Sequence, residues 1–220
     1  MIIVIDGPAG SGKSSTARAV AEQLQIQFLD SGALYRVATL VYLSTSHNRA
    51  SFLELLKESD ISFYFKEKKF HVSLNGELVS EKIREMEISN AVSEVASMPE
   101  VRAFINALMH KQVATGIYIA DGRDLGTAVF PNAELKFFMV ADLNERAKRR
   151  LAELEANGTE STIEEVKANI ASRDEVDSSR EADPLKQAED AILINTSGLT
   201  FAEQVSQISE RAESVIAKEL

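Results

Sequence analysis

The chain has 220 residues and no cysteine. That length suits one large domain with a sizeable core, and the missing thiols exclude disulfides and thiolate metal sites. Its formal net charge of −10 repels nucleic acid polymers and acidic membrane surfaces. No apolar run reaches the ~18–20 residues of a membrane span. The first residues read as a strand rather than a signal peptide, so the expectation is a soluble cytoplasmic protein.

Residues 2–16 read IIVIDGPAGSGKSST. Residues 2–5 are a continuous apolar run, as a strand buried on both faces requires. Gly7, Pro8, Ala9, Gly10, Ser11, Gly12, Lys13 and Ser14 match G-x-x-x-x-G-K-[ST], with Ser15 following. Ala17, Val20, Ala21 and Leu24 then fall at helical spacing. Strand, glycine loop and helix together form a P-loop: backbone N–H groups turn toward a polyphosphate at a helix N-terminus. Lys13 reaches the β- and γ-phosphates, and the Ser14 hydroxyl is a Mg²⁺ ligand.

Further buried strands are predicted at 27–29, 117–120, 135–140 and 191–194, with helical patterns between most of them. Alternation of this kind predicts an α/β fold, a five-stranded parallel sheet flanked by helices. Ligands then sit beyond the carboxyl ends of the strands. Residues 61–79 depart from the pattern. They alternate with period two around Asn75-Gly76, which predicts a small antiparallel β insertion. Helices are expected at 88–96 and 99–114, with Pro99 in a first turn. Asn157-Gly158 marks a turn between two charged helices, the place for a short lid. A last helix from Phe201 presents Phe201, Val205, Ile208, Ala212 and Val215 on one face.

Four clusters lie where ligands are expected. In residues 29–36, LDSGALYR, Asp30 or Ser31 caps a helix that carries Arg36. Asp121-Gly122-Arg123-Asp124 follows the 117–120 strand. There Arg123 offers a planar fork to a phosphate, and Asp121 completes a Mg²⁺ site directly or through water. Arg146, Arg149 and Arg150 share one helix face, with surface ion pairing as the plain alternative. Arg173, Asp177 and Arg180 share another, with Arg173–Asp177 as an i,i+4 pair and Pro184 ending the helix. No Asn-Lys-x-Asp element occurs, and His47, His71 and His110 lack metal-ligand spacing.

So many arginines beside a P-loop suit transfer between two phosphate-bearing substrates. The acceptor is then a phosphate oxygen, which needs no general base. Two rivals stay open on these residues alone. One is a kinase of the same scaffold acting on UMP, dephospho-coenzyme A or shikimate. The other is a nucleotide-dependent switch with no acceptor.

GPAGSGKSS, LDSGALYR, ADGRDLGTAVFPNAELKFFMVA, ERAKRR and SRDEVDSSREADPL together resemble the bacterial cytidylate kinase family over essentially the whole chain. The resemblance implies Mg²⁺-dependent phosphoryl transfer from ATP to CMP or dCMP. It implies ATP binding by Gly7 to Ser15, with Arg146, Arg149 and Arg150 on the lid side near the donor phosphates. It implies that Arg36, Arg123 and Arg180 hold the acceptor phosphate. Lys13 and those three arginines are then the catalytic set. Ser93, Arg102 and Asp124 would read the cytosine, Ser31 would form another wall, and Arg173 and Asp177 would meet the sugar. The expected division is a P-loop core at 1–30 and 97–220, a monophosphate-binding region at 31–96, and a lid at 150–165. No large apolar stripe is left over, which leaves a monomer as the expectation, acting on small nucleotides without nucleic acid or membrane.

Overall fold

The computed structural model describes residues 1–156 and 158–219. Asn157, half of the expected turn, lies outside them. The main sheet has five parallel strands in the order β2-β6-β1-β7-β8. They are β1 (Ile2–Asp6), β2 (Gln27–Asp30), β6 (Tyr118–Gly122), β7 (Leu135–Val140) and β8 (Ile192–Asn195). β1 and β6 are buried at every residue, which is why residues 2–5 and 118–120 read as apolar runs.

The helices flanking this sheet are α1 (Lys13–Leu24), α2 (Ser31–Ser44), α3 (Arg49–Glu58), α4 (Met86–Ala96), α5 (Pro99–Val113), α6 (Leu143–Ala156), α7 (Ile163–Ser179) and α8 (Phe201–Glu219). The Asp30 carboxylate caps α2 by accepting from Ala33 N–H at 2.9 Å. Thr162 and Glu165 form a reciprocal capping box at the start of α7.

The antiparallel sheet comprises β3 (Ile61–Lys66), β4 (Lys69–Leu74) and β5 (Glu77–Leu78). It is a separate sheet, yet it shares the core. The Phe28 ring on β2 meets Phe65 at 5.7 Å and Phe70 at 6.1 Å, both edge-on.

Three details differ from the expectations. β6 runs through Asp121 and Gly122, so both belong to the strand rather than to the loop after it. α7 stops at Ser179, and Arg180 is its extended C-cap, not a further position on the helix face. Phe201 is 52 % exposed. The buried face of α8 instead runs through Gln204, Ile208, Ser209 and Ala212, because the glutamine and serine interrupt a stripe that hydropathy alone shifts toward Phe201.

One buried carboxylate shapes the turn that follows β6. Asp6, at the end of β1, accepts from Leu125 N–H at 2.9 Å and Gly126 N–H at 2.7 Å. These amides open the π-helical turn Leu125–Val129, so Asp6 anchors the backbone just past Arg123 and Asp124. Burial raises its pKa to about 6, against the opposing pull of those two amides. The native state therefore binds this proton more tightly than the unfolded chain does. The associated stability is present at low pH and is lost as pH rises through about 6. The unfolding free energy of the wild type, measured against Asp6→Asn by denaturant melts, should accordingly fall by on the order of 2–3 kcal/mol between pH 4 and 7.

Candidate active site

β1 delivers the chain into the glycine loop. Gly7 has φ +151°, and a Cβ there would lie 2.1 Å from the Met139 carbonyl oxygen of β7. No side chain fits between those backbones. Gly12 caps α1 with φ +94°, a left-handed turn that glycine makes without a steric penalty. The first amides of α1 therefore open toward the loop.

Lys13 is buried, and its Nζ donates to the Pro8 carbonyl at 3.1 Å. Burial pushes its pKa down, and nearby Arg123 and Arg173 push the same way. The Ser14 hydroxyl donates to Asp121 Oδ2. Asp121 Oδ1 is buried and has no hydrogen-bond partner among the described residues. Burial, then the charge of Asp30, raise the Asp121 pKa. One hydroxyl beside a carboxylate with a spare buried oxygen fits Mg²⁺, which keeps few protein ligands and takes the rest from phosphates and water. Among the described residues, no three His, Cys, Asp or Glu gather as a self-sufficient metal cluster.

Arginines gather across from Lys13. Arg36, on α2, donates through Nη1 to Ser89 Oγ at 2.8 Å and to the Ile83 carbonyl at 3.3 Å. Arg123 donates through Nε to Asp177 Oδ2 at 2.8 Å. The expected helical pair of Arg173 with Asp177 is thus replaced by a contact between the residue just after β6 and α7. Arg173 Nε is buried with no partner among the described residues. Its pKa is lowered to about 10, by burial first and then by Arg123 and Arg36. Burial also lowers Arg36, Asp30 opposes this, and the charges of Arg150, Arg84 and Arg123 add to it. Guanidiniums crowded and under-compensated in this way suit an anion.

A second corner is internally neutral. Arg102, 2 % exposed, donates through Nη2 to Asp124 Oδ2. Arg180 donates through Nη2 to Asp124 Oδ1 at 2.7 Å. Arg180, expected beside the acceptor phosphate, is thereby tied to Asp124. Ser31 Oγ donates to the Asp121 carbonyl at 2.6 Å. Ser93 is half-buried on α4. The sequence reading passed over two residues here. Tyr35 is buried with its ring centroid 5.7 Å from the Arg102 guanidinium carbon. Asp183 accepts from Arg102 Nε at 2.8 Å. An acid in a charged segment reads as solvated, and a buried tyrosine in a helix reads simply as core.

The three arginines expected on the lid side separate by task. Arg146 donates to the carbonyls of Ala9 and Ala141, both at 3.0 Å, and to Asp174 at 2.5 Å. Arg149 donates to the Ser11 carbonyl at 3.2 Å and to the Thr196 hydroxyl and carbonyl at 3.0 and 2.8 Å. Both brace the P-loop through its own backbone. Arg150 pairs with Glu153 at 3.0 Å on the surface of α6.

The cytidylate kinase family profile matches residues 3–214. The chain belongs to the cytidylate kinase family. A cytidylate kinase of Carboxydothermus hydrogenoformans is 43 % identical over 213 residues, covering 96 % of both chains. One from Lactococcus lactis subsp. lactis is 43 % identical over 215 residues, covering 97 % of this chain and 98 % of the relative. In fold, the chain is similar to the crystal structure of an uncharacterized protein from Eubacterium ventriosum. That match has TM-score 0.56 and 13 % identity, covering 97 % of this chain and 99 % of the other. Within the described residues no helix is long and apolar enough to cross a membrane.

Because Arg149 joins the P-loop to the end of β8, Arg149→Ala should lower unfolding stability by about 1–3 kcal/mol. It should also raise the KM for ATP. Thermal melts and steady-state kinetics on one preparation check both effects.

Proposed function

We infer that the chain transfers the γ-phosphoryl group of ATP to CMP or dCMP, yielding ADP and CDP or dCDP. The observation that carries this reading is the pair of cation sets around Asp121. Lys13 stands on the P-loop, and Arg36, Arg123 and Arg173 lie within electrostatic reach of one another, the last two also of Lys13. A switch that only hydrolyses nucleotide has no use for the second set.

In this reading the P-loop amides and Lys13 take the donor's β- and γ-phosphates, and Arg36 and Arg123 take the acceptor's phosphate. Holding two anions in line removes the entropy of their encounter and cancels their repulsion. The attacking atom is already an ionised phosphate oxygen, so no side chain has to remove a proton. Ser14 and Asp121 would hold Mg²⁺. When bound, the ion neutralises charge on the donor phosphates. Arg173 and Asp177 face the sugar, and α6 with α7 screens the site from water, the competing acceptor. The enzyme in this reading is a cytoplasmic monomer working on free nucleotides.

Arg102, Asp124 and Arg180, with Ser31 and Ser93 as neighbours, read the base. Cytosine offers acceptors at O2 and N3 and a donor at N4. The guanidiniums suit the acceptors, and the Asp124 carboxylate suits N4. Uracil turns an O4 acceptor toward that carboxylate, a repulsive and unsatisfied pairing.

The deciding assay is ADP release from ATP and Mg²⁺ with CMP, dCMP, UMP, AMP or no acceptor. Rapid release confined to CMP and dCMP is expected; a slow rate indifferent to acceptor would overturn the reading. Lys13→Ala should cut kcat by orders of magnitude, since it removes charge at the transferring group. Arg123→Ala should raise the CMP KM while ATP binding stays near wild type.

Base selection should also depend on pH. Burial raises the Asp124 pKa against the opposing pull of Arg102 and Arg180. Protonated Asp124 can donate to uracil O4, so the CMP-over-UMP ratio of kcat/KM should shrink as pH falls. Initial rates with both acceptors at pH 8 and pH 5.5 measure it.

A further inference from the structure

Asp183 has φ +49° and stands immediately before Pro184. A left-handed backbone is unusual for a residue with a side chain, and a following proline restricts that residue further. Strain of this kind persists only where the surroundings enforce it. The surroundings here are two arginines. The Asp183 carboxylate accepts from Arg102 Nε at 2.8 Å, and its backbone carbonyl accepts from Arg180 Nε at 2.7 Å. Both guanidiniums then meet Asp124 through Nη2. The four residues close a ring.

We propose that Asp183 is a positioning residue for base selection: its carboxylate and its carbonyl aim Arg102 and Arg180 at Asp124. The proposal rests on reading this corner as the base pocket. The geometry gives the carboxylate two tasks. First, it fixes the plane of Arg102. Three of that guanidinium's five N–H donors are engaged, by Asp183, Asp124 and the Ala96 carbonyl. The remaining donors are thereby held in set directions. Second, it balances charge. Arg102 and Arg180 against Asp124 alone leave one positive charge in excess. Asp183 brings the corner to neutrality, which suits an uncharged base and leaves the acceptor's phosphate to Arg36 and Arg123. The Asp183 side chain is 37 % exposed, whereas Arg102 is 2 % exposed. The carboxylate thus reaches inward from the rim of the pocket.

The test is steady-state kinetics of D183G and D183N with ATP, CMP and UMP. Glycine keeps the left-handed backbone and removes the carboxylate. D183G should raise the CMP KM about tenfold, as loss of a charged hydrogen bond does. It should narrow the CMP-over-UMP preference and leave the ATP KM within about twofold. Asparagine tolerates the same backbone and still offers Arg102 an acceptor, so D183N should recover most of the CMP affinity. If D183G does not fold, D183S, whose hydroxyl is too short to reach Arg102, carries the same expectation. A wild-type CMP KM and base preference in D183G or D183S would overturn the proposal. An equal rise in the KM for both ATP and CMP would overturn it too, because that is the mark of general structural damage. A wild-type enzyme with no preference for CMP over UMP would instead overturn the reading of the pocket itself, whatever the variants do.

Discussion

The site depends on the parallel register between β1 and β6. That register pairs Ile5 with Asp121 and Asp6 with Gly122. It places the residue that starts the glycine loop beside the strand that carries Asp121 and leads directly into Arg123 and Asp124. Ser14 reaches Asp121 across this gap, and Asp6 reaches forward to the amides of Leu125 and Gly126. A slip of one residue would turn alternate side chains to the opposite face of the sheet. The donor loop and the acceptor residues would then no longer meet. Both strands are buried throughout, so the hydrophobic core enforces the register on which the chemistry rests.

Burial then makes the charges consequential. The chain is acidic overall, at −10, yet the ends of these strands gather arginines and one buried lysine. Two kinds of corner result. Around Arg36, Arg123 and Arg173 the positive charges outweigh their partners and press on one another. Around Arg102, Arg180, Asp124 and Asp183 the charges cancel. A nucleoside monophosphate has the same division, with a charged phosphate at one end and a neutral base at the other. On the proposed reading, the substrate's orientation follows from where charge is compensated and where it is not.

Much of this was legible in the chain. The P-loop could be read because its motif, strand and helix are local in sequence. The parallel sheet could be read because doubly buried strands are uniformly apolar. Pairings between distant segments were not legible. Asp177 follows Arg173 at helical spacing, yet it pairs with Arg123 because the turn after β6 presents a guanidinium to α7. Arg149 looks like a surface or phosphate arginine until β8 brings Thr196 beside it. Tyr35 and Asp183 carry no local signal, since one resembles core and the other a solvated acid. The shape of α8 misled for a similar reason: Gln204 and Ser209 are buried by neighbours that hydropathy does not reveal.

α7, which carries Arg173 and Asp177, is fastened to the glycine loop itself. Ala9 packs with Ala147, Val166 and Ile170 in a small core apart from the main one. Its amide donates to Asp174 Oδ1 at 3.1 Å, and its carbonyl accepts from Arg146, which also holds Asp174. Asp174 adjoins Arg173 and lies three residues before Asp177 on α7. A shift of α7 toward or away from the acceptor is therefore felt at Ala9, within the loop that surrounds the donor phosphates. In-line transfer requires donor and acceptor to be set within a fraction of an ångström of one another. A direct tie between the two supports meets that requirement more simply than two independently anchored sites. It also accounts for the burial of Arg146 beside Ala147 on α6.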